Sequence, residues 1–328
     1  MTILVTGGAG YIGSHVVLDL LDAGYDVHIL DTLETGHRHL VDPRATLHIG
    51  SIHDMDVVSD IMQTCKIETI FHFAAYIQVA ESVDAPEKYY HNNTAGVLSL
   101  LRAAVQYGLK KVIFSSTAAV YGAAEGATIS EATPLAPINP YGASKMMAER
   151  IVQDMAAAHG FDFIILRYFN VAGADRTQRS GQITEKATHL IKAACETALG
   201  KRPSLSVFGT DYPTPDGTGV RDYIHVSDLA AAHLAVLKTA PNQIFNCGYG
   251  TGFSVKDVLQ TVEKVSETKL QTIYAPRRVG DAPCVIADAS RLKRCTDWTP
   301  RYNNLEDIIR DALSWERSPL NKPYSPES

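Results

Sequence analysis

The chain has 328 residues, 45% of them hydrophobic and 20% charged, with a formal net charge of −6 and five cysteines. That length allows one large domain or two packed ones. The absence of a basic tract argues against a nucleic-acid partner, and no apolar run approaches the ~18 residues of a membrane span. The cysteines are scattered without a C-x-x-C pair and the amino-terminus lacks a basic leader, so the expectation is a cytoplasmic protein with reduced thiols and no metal site.

The first third of the chain alternates short β-rich runs with helical stretches. The spacing predicts strands at 2–7, 26–31, 46–51, 69–74, 111–116 and 162–170, with helices at 12–23, 54–64, 93–107 and 143–158 between them. Continuous apolar strands separated by helices imply a parallel sheet covered on both faces, and right-handed crossovers then give a doubly wound, Rossmann-type α/β fold. After Asn170 the rhythm changes, and Gly, Pro, Asp and Thr dominate 172–183 and 209–219. Helices are expected at 184–199, 227–238, 254–265 and 304–315. The expected domains are therefore 1–170 and a smaller 171–328, with part of 220–248 returning to the first. The tail 318–328 reads as frayed.

Two stretches carry chemistry. The first, "VTGGAGYIG", follows the first strand and opens the first helix, with Gly7, Gly10 and Gly13 in a G-x-x-G-x-x-G spacing. Gly7 suits the tight turn, Gly10 lets a pyrophosphate approach the backbone, and Gly13 lets the helix pack on the strand. The helix then offers its free N–H groups to the phosphates. Asp31 ends the second strand about 18 residues after Gly13, near the spacing of a ribose-binding acid. A carboxylate there would repel a 2′-phosphate, which favours NAD over NADP. The second stretch, "NPYGASKMMAER", sets Tyr141 one helical turn before Lys145, on one helix face. Beside a nicotinamide cofactor, an ammonium would favour the phenolate and let Tyr141 act as a base near neutral pH. Ser115, Ser116 and Thr117 end a strand of the same sheet, where one hydroxyl could bridge substrate and tyrosine. His48, His53 and His72 show neither a metal-ligand spacing nor a paired carboxylate and read as structural or exposed.

Together with "HFAA", "YYHNNTAGVLSLL", "FSSTAAVYG", "LRYFNVAGAD", "FGTDYPTPDGTGVRDYIHVSDLA" and "APRRVGD", these stretches resemble the extended short-chain dehydrogenase/reductase family over essentially the whole chain. Within it the chain is most similar to the enzymes that invert carbon 4 of UDP-hexoses. The resemblance implies Tyr141 as base, Lys145 as its modulator and Thr117 as hydroxyl partner. It implies NAD on Gly7, Gly10, Tyr11, Ile12, Gly13, Asp31, Thr32, Ser51, Ile52, Phe73, Ala74, Ala75, Asn92, Ser115, Tyr141, Lys145 and Phe169. A UDP-sugar falls to Thr117, Tyr141, Asn170, His189, Leu190, Ser206, Phe208, Arg221, Arg278, Asp281 and Val285. Arginine suits bidentate phosphate contacts.

Relatives that dehydrate the sugar carry Thr-Asp-Glu where this chain has Thr117, Ala118 and Ala119, and two alanines supply neither the acid nor the base of an elimination. Another UDP-sugar, such as UDP-xylose or UDP-uronate, stays open as the substrate, as does a non-catalytic NAD-binding protein on the same fold. Two departures touch the cofactor: Ser51 stands where the family has an aspartate, and Ile77 where it often has a lysine. Val285 falls where a tyrosine would fill the space beside the sugar's 2-substituent, so N-acetylated sugars are expected to be tolerated. The resemblance also implies a homodimer through 93–107 and 143–158; Ala103, Ala104, Met147 and Ile151 could supply a partly apolar face there, and burial within the monomer would explain them nearly as well.

Overall fold

A computed structural model describes residues 1–124, 128–184, 187–278 and 280–322. Its elements in chain order begin β1 Thr2–Thr6, α1 Tyr11–Asp22, β2 Asp26–Asp31, β3 Thr46–Ile49, α2 Met55–Thr64, β4 Thr69–His72, α3 Val79–Asp84, α4 Pro86–Tyr89 and α5 Gly96–Ala104. Next come β5 Lys111–Thr117, β6 Thr128–Ile129, α6 Pro140–His159, β7 Asp162–Tyr168, β8 Asn170–Ala172, α7 Leu190–Ala198, β9 Leu205–Phe208, β10 Val220–His225 and α8 Val226–Ala235. The last are β11 Gln243–Cys247, β12 Gly252–Ser254, α9 Val255–Ser266, β13 Thr272–Ala275, β14 Cys284–Ala287, α10 Ser290–Cys295 and α11 Leu305–Arg317.

The chain divides into two compact units, one of residues 1–122, 134–167 and 230–245, the other of residues 123–133, 168–229 and 246–328. In the first, a seven-stranded sheet runs in the order β11-β7-β5-β4-β1-β2-β3. β1 pairs in parallel with both β2 and β4, so the strand order reverses there, and ligands of such sheets bind at the carboxyl edge beside that reversal. Leu4, Ile70, Val112, Phe114 and Ile165 from the strands pack against Val58, Leu100, Ala148 and Val152 from α2, α5 and α6 in one apolar cluster. The second unit holds a five-stranded sheet, β12-β10-β14-β6 with β8 added beside β10, and a parallel pair of β9 and β13.

Several elements differ from the sequence reading for identifiable reasons. The strand expected over 162–170 breaks at Phe169, whose N–H bonds the Cys247 carbonyl, and residues 170–172 pair with β10 instead. The strand expected to reach Ser51 ends at Ile49, and the last ladder bond runs from the Gly50 N–H to the Asp31 carbonyl. The helix expected over 93–107 opens as a wide π turn at Tyr90–Ala95 and closes as a 3-10 turn at Val105–Tyr107. There the Asn93 amide both accepts from the Tyr76 N–H and donates to the Tyr76 carbonyl, at 2.9 Å each.

The helix expected from 184 starts at Leu190, after an extended His189. Glu185 and Lys186 lie outside the described residues, as do 323–328 of the expected tail. Ala103 and Ala104 are fully buried in the first unit's own core and cannot face a partner subunit. Leu98 and Met147 are the exposed large apolar residues of α5 and α6. Among the described residues no helix is long and apolar enough to cross a membrane.

Candidate active site

Local sequence sets the position of Tyr141. Asn139 caps α6 by accepting the Gly142 N–H at 2.9 Å, and Pro140 takes the first helical position, where its missing N–H costs nothing. Gly142 lets that first turn close on the end of β5, since a Cβ at this position would lie 2.5 Å from the Ala119 carbonyl oxygen. This sets the Tyr141 phenol near enough to the Thr117 side chain for the threonine to favour its ionised form. Thr117 also accepts the Ala119 N–H at 3.1 Å, which fixes its rotamer. Burial pushes the Tyr141 phenol above its ordinary value, and Thr117 acts the other way.

Lys145 follows one turn later and is buried. Its ammonium donates to the Ser115 carbonyl at 2.9 Å and lies 5.0 Å from the centre of the Phe114 ring. Burial pushes it down to about 7, with Glu149 acting the other way. The ammonium is held by the strand carbonyl, and for the phenol burial outweighs the effect of Thr117. Of the three hydroxyls ending the strand, Thr117 reaches the tyrosine. Ser116 faces the other side and donates to Glu149.

Glu149 belongs to a buried network that the sequence reading did not see. Arg167 on β7 donates to both of its carboxylate oxygens, through Nε at 2.9 Å and Nη2 at 2.5 Å, and a third N–H of Arg167 reaches the Tyr121 hydroxyl at 3.0 Å. A charged pair this dry holds only when both ions are satisfied. It ties α6 to β7 one turn beyond Lys145. Helical spacing alone could have put Glu149 on the face of Tyr141 and Lys145.

The glycine turn forms a cradle fit for a dinucleotide. Gly7 has φ +72°, and a Cβ there would lie 2.6 Å from the Ala74 nitrogen and 2.8 Å from the Phe73 carbonyl carbon. The turn after β1 is thus brought against Phe73–Ala74–Ala75. At Gly13 a Cβ would meet the Gly7 oxygen at 2.2 Å, so the helix seats directly on the turn. Gly10 caps α1 with no side chain, and no acidic residue stands in the first turn, which contains Tyr11 and Ile12. The N-terminus of a helix without an acidic first turn suits an anion.

Asp31, buried at the end of β2, accepts the Ala9 N–H at 3.0 Å and the Leu33 N–H at 2.9 Å, so the carboxylate that would meet a ribose also braces the glycine turn. Thr32 accepts the Glu34 N–H, Ser51 accepts the His53 N–H at 3.2 Å, Ile52 packs where a side chain on Gly96 would collide, and Asn92 donates to Asn93. Ile77 is exposed. His72 is buried, bonded to Thr6 at 2.8 Å and pushed down to about 3 by burial, a neutral structural residue.

In the second unit the expected substrate residues form two groups. Asn170, His189 and Leu190 line one cavity with Lys192, Tyr223 and Glu316. His189 is exposed and accepts from the Gln182 amide at 3.0 Å. Around the other sheets, the Arg278 guanidinium stacks on the Phe208 ring at 4.0 Å, and exposed Ser206 lies two residues earlier on β9. The parallel pairing of β10 and β14 puts Arg221 opposite Val285, and Asp281 stands 3.8 Å from the Arg221 guanidinium. Phe169 is buried in this unit.

A strand, glycine turn and helix on a doubly wound sheet, with a phenol–threonine pair at the carboxyl edge, define a class of dinucleotide-using enzymes that act at an alcohol carbon. Residues 3–248 match the model of the NAD dependent epimerase/dehydratase family, and the chain belongs to that family. It is 51% identical to a UDP-glucose 4-epimerase of Azospirillum brasilense over 320 residues, 96% of this chain and 92% of that protein. A UDP-glucose 4-epimerase from Bifidobacterium longum, solved in complex with NAD+ and UDP, superposes with a TM-score of 0.93 at 35% identity, covering 98% of this chain and 99% of the other. The UDP-Glc/GlcNAc 4-epimerase of Campylobacter jejuni gives 0.85 at 45% identity, over 96% and 99%.

Proposed function

We propose that this chain interconverts UDP-glucose and UDP-galactose by oxidising the sugar at carbon 4, letting the keto sugar rotate, and reducing it from the other face. The observation that carries this reading is the placing of the Tyr141 phenol by Thr117, which is followed directly by Ala118 and Ala119. A proton carrier is present at the end of β5, and no second acid or base stands beside it in sequence to eliminate water. When bound, NAD supplies the reversible hydride acceptance at carbon 4 and a cationic ring that favours the phenolate. Tyr141 takes the proton of the 4-hydroxyl and returns it after the sugar turns. Thr117 orients that hydroxyl. Lys145, fixed on the Ser115 carbonyl, keeps a positive charge or a neutral donor one turn below the phenol. Asn170, Arg221 and Arg278 hold the sugar and diphosphate. The enzyme works in the cytoplasm, consistent with its free cysteines, as a homodimer whose helical face includes the exposed Leu98 and Met147.

The test is incubation of the purified protein with UDP-galactose, with and without added NAD, and separation of the products. UDP-glucose is the expected product, and its absence would remove the reading. Val285, opposite Arg221 on the β10–β14 pair, carries a side chain that leaves room an aromatic ring would fill, and on that ground the reading extends to a wider sugar pocket. UDP-N-acetylglucosamine is therefore expected as a second substrate. Its kcat/KM should drop in Val285→Tyr while that for UDP-glucose holds; an unchanged ratio would show that Val285 does not set the size limit.

A further inference from the structure

On the first unit's sheet, at its β3 edge, three side chains from separate elements converge. His28 is on β2, His48 on β3, and Cys65 caps the carboxyl end of α2. The β2–β3 register places Leu30 opposite His48, and alternate strand residues share a face, so His28 and His48 project from one side. Their rings stack with centroids 5.3 Å apart, and His28 Nδ1 lies 3.0 Å from His48 Nε2. One ligand atom from each of His28, His48 and Cys65 lies within 4.8 Å of the other two. All three residues are partly buried, and each keeps a route to solvent.

We infer that His28, His48 and Cys65 form a binding site for a zinc-class divalent cation, separate from the catalytic centre. Two imidazole nitrogens and a thiolate are a donor set that suits zinc and its neighbours and disfavours magnesium or calcium. A nitrogen–nitrogen contact of 3.0 Å is near the ligand separation around an ion with bonds of about 2.0–2.1 Å, so the rings must turn toward the ion more than they must move apart. The proton now shared between them uses the lone pair that the ion would need. It need not leave the pair. On His28 it moves to Nε2, which lies 3.8 Å from the Asp26 carboxylate, the outer partner that ligating histidines commonly have. The net release is a single proton, from the Cys65 thiol. Asp60 on α2 acts electrostatically on His48 from the same side, and the fourth coordination position is left to water. The bound ion ties β2, β3 and the end of α2 together.

Cobalt(II) is the spectroscopic probe. Titrating the full chain with it should produce a thiolate-to-cobalt charge-transfer band and tetrahedral d–d bands that saturate at one ion per chain, and zinc should displace both. Cys65→Ser should abolish the charge-transfer band, while Cys295→Ser, which alters an exposed cysteine elsewhere, should leave it intact. Asp26→Asn should weaken the affinity by about tenfold or more. His48→Gln should do the same or worse. Should that variant fold poorly, Cys65→Ser and Asp26→Asn, checked by circular dichroism without metal, carry the test. No charge-transfer band in the native chain, or a band that survives Cys65→Ser, overturns the inference. So does cobalt affinity unchanged in Asp26→Asn.

Discussion

In the first unit Lys145, Glu149 and Arg167 are no more than 3% exposed, and each ends on a named protein partner. In the second, Arg278 is exposed and rests on the face of Phe208, while Arg221 bonds the carbonyl of its own neighbour and stands at 3.8 Å from Asp281. The difference matches the work proposed for each. A base must be held to a fraction of an ångström, so its surroundings are closed and mutually bonded. Arginines that take a diphosphate need unspent donors, and a stacked guanidinium keeps its in-plane N–H groups available while its position is restrained.

Four substitutions or titrations would break or sharpen this contrast. The largest effect is expected from Tyr141→Phe, which removes the proton carrier and keeps the ring. kcat should fall by about 10²- to 10⁴-fold, while UDP binding measured by calorimetry stays within a few-fold of the native chain. An unchanged kcat would remove Tyr141 from the mechanism. Next is Glu149→Gln, which leaves Arg167 buried without its counter-charge and should cost on the order of 3 kcal/mol of stability. A urea midpoint equal to that of the native chain would show that the network is not needed.

Arg278→Ala should act more weakly and differently. Loss of one charged contact to a phosphate should raise KM about tenfold, with kcat and the melting temperature close to native. A change in kcat alone would contradict a binding role.

The smallest effect is a slope. Burial holds Lys145 to about 7 against an ordinary 10.5, so between those values the folded chain binds fewer protons than the unfolded one. The cost of burying the ammonium is fully present below about 7, and stability rises as pH increases from about 7 towards 10. Tyr141, raised from 10.0, contributes with the opposite sign above that value. Urea unfolding across this range should show the rise, and Lys145→Met should flatten it.

Much of the first unit was legible because its signals are local. The glycine turn, the strand–helix alternation and the Tyr141–Lys145 spacing each fit within a few residues, and local pattern is what a sequence displays directly. What stayed hidden depends on pairing across the chain. Arg167 and Glu149 meet only because β7 and α6 pack together, and neither residue's neighbours announce a partner. The return of part of 220–248 to the first unit was expected, and residues 230–245 make it; what the sequence did not display is the sheet position, β11 beside β7, through which they do so. Ala103 and Ala104 stayed open between a helix interface and the chain's own core because small apolar residues fit either, and packing puts them in the core. The late start of α7 follows from an extended His189 without a side-chain cap, so the usual start signal was missing.

The contact between Gly142 and Ala119 has a consequence for how this enzyme can vary. Position 142 carries no chemistry, yet the distance from the phenol to Thr117 is referenced to it, because a single added methyl would meet a carbonyl oxygen at 2.5 Å. Relief would have to come from lifting the first turn of α6, and Tyr141 rides on that turn. In a saturation scan Gly142 should therefore tolerate as little as the residues that perform the reaction, while Met147, on the open side of the same helix, should accept most replacements. A redesigner of this site inherits a fixed datum made of one hydrogen atom.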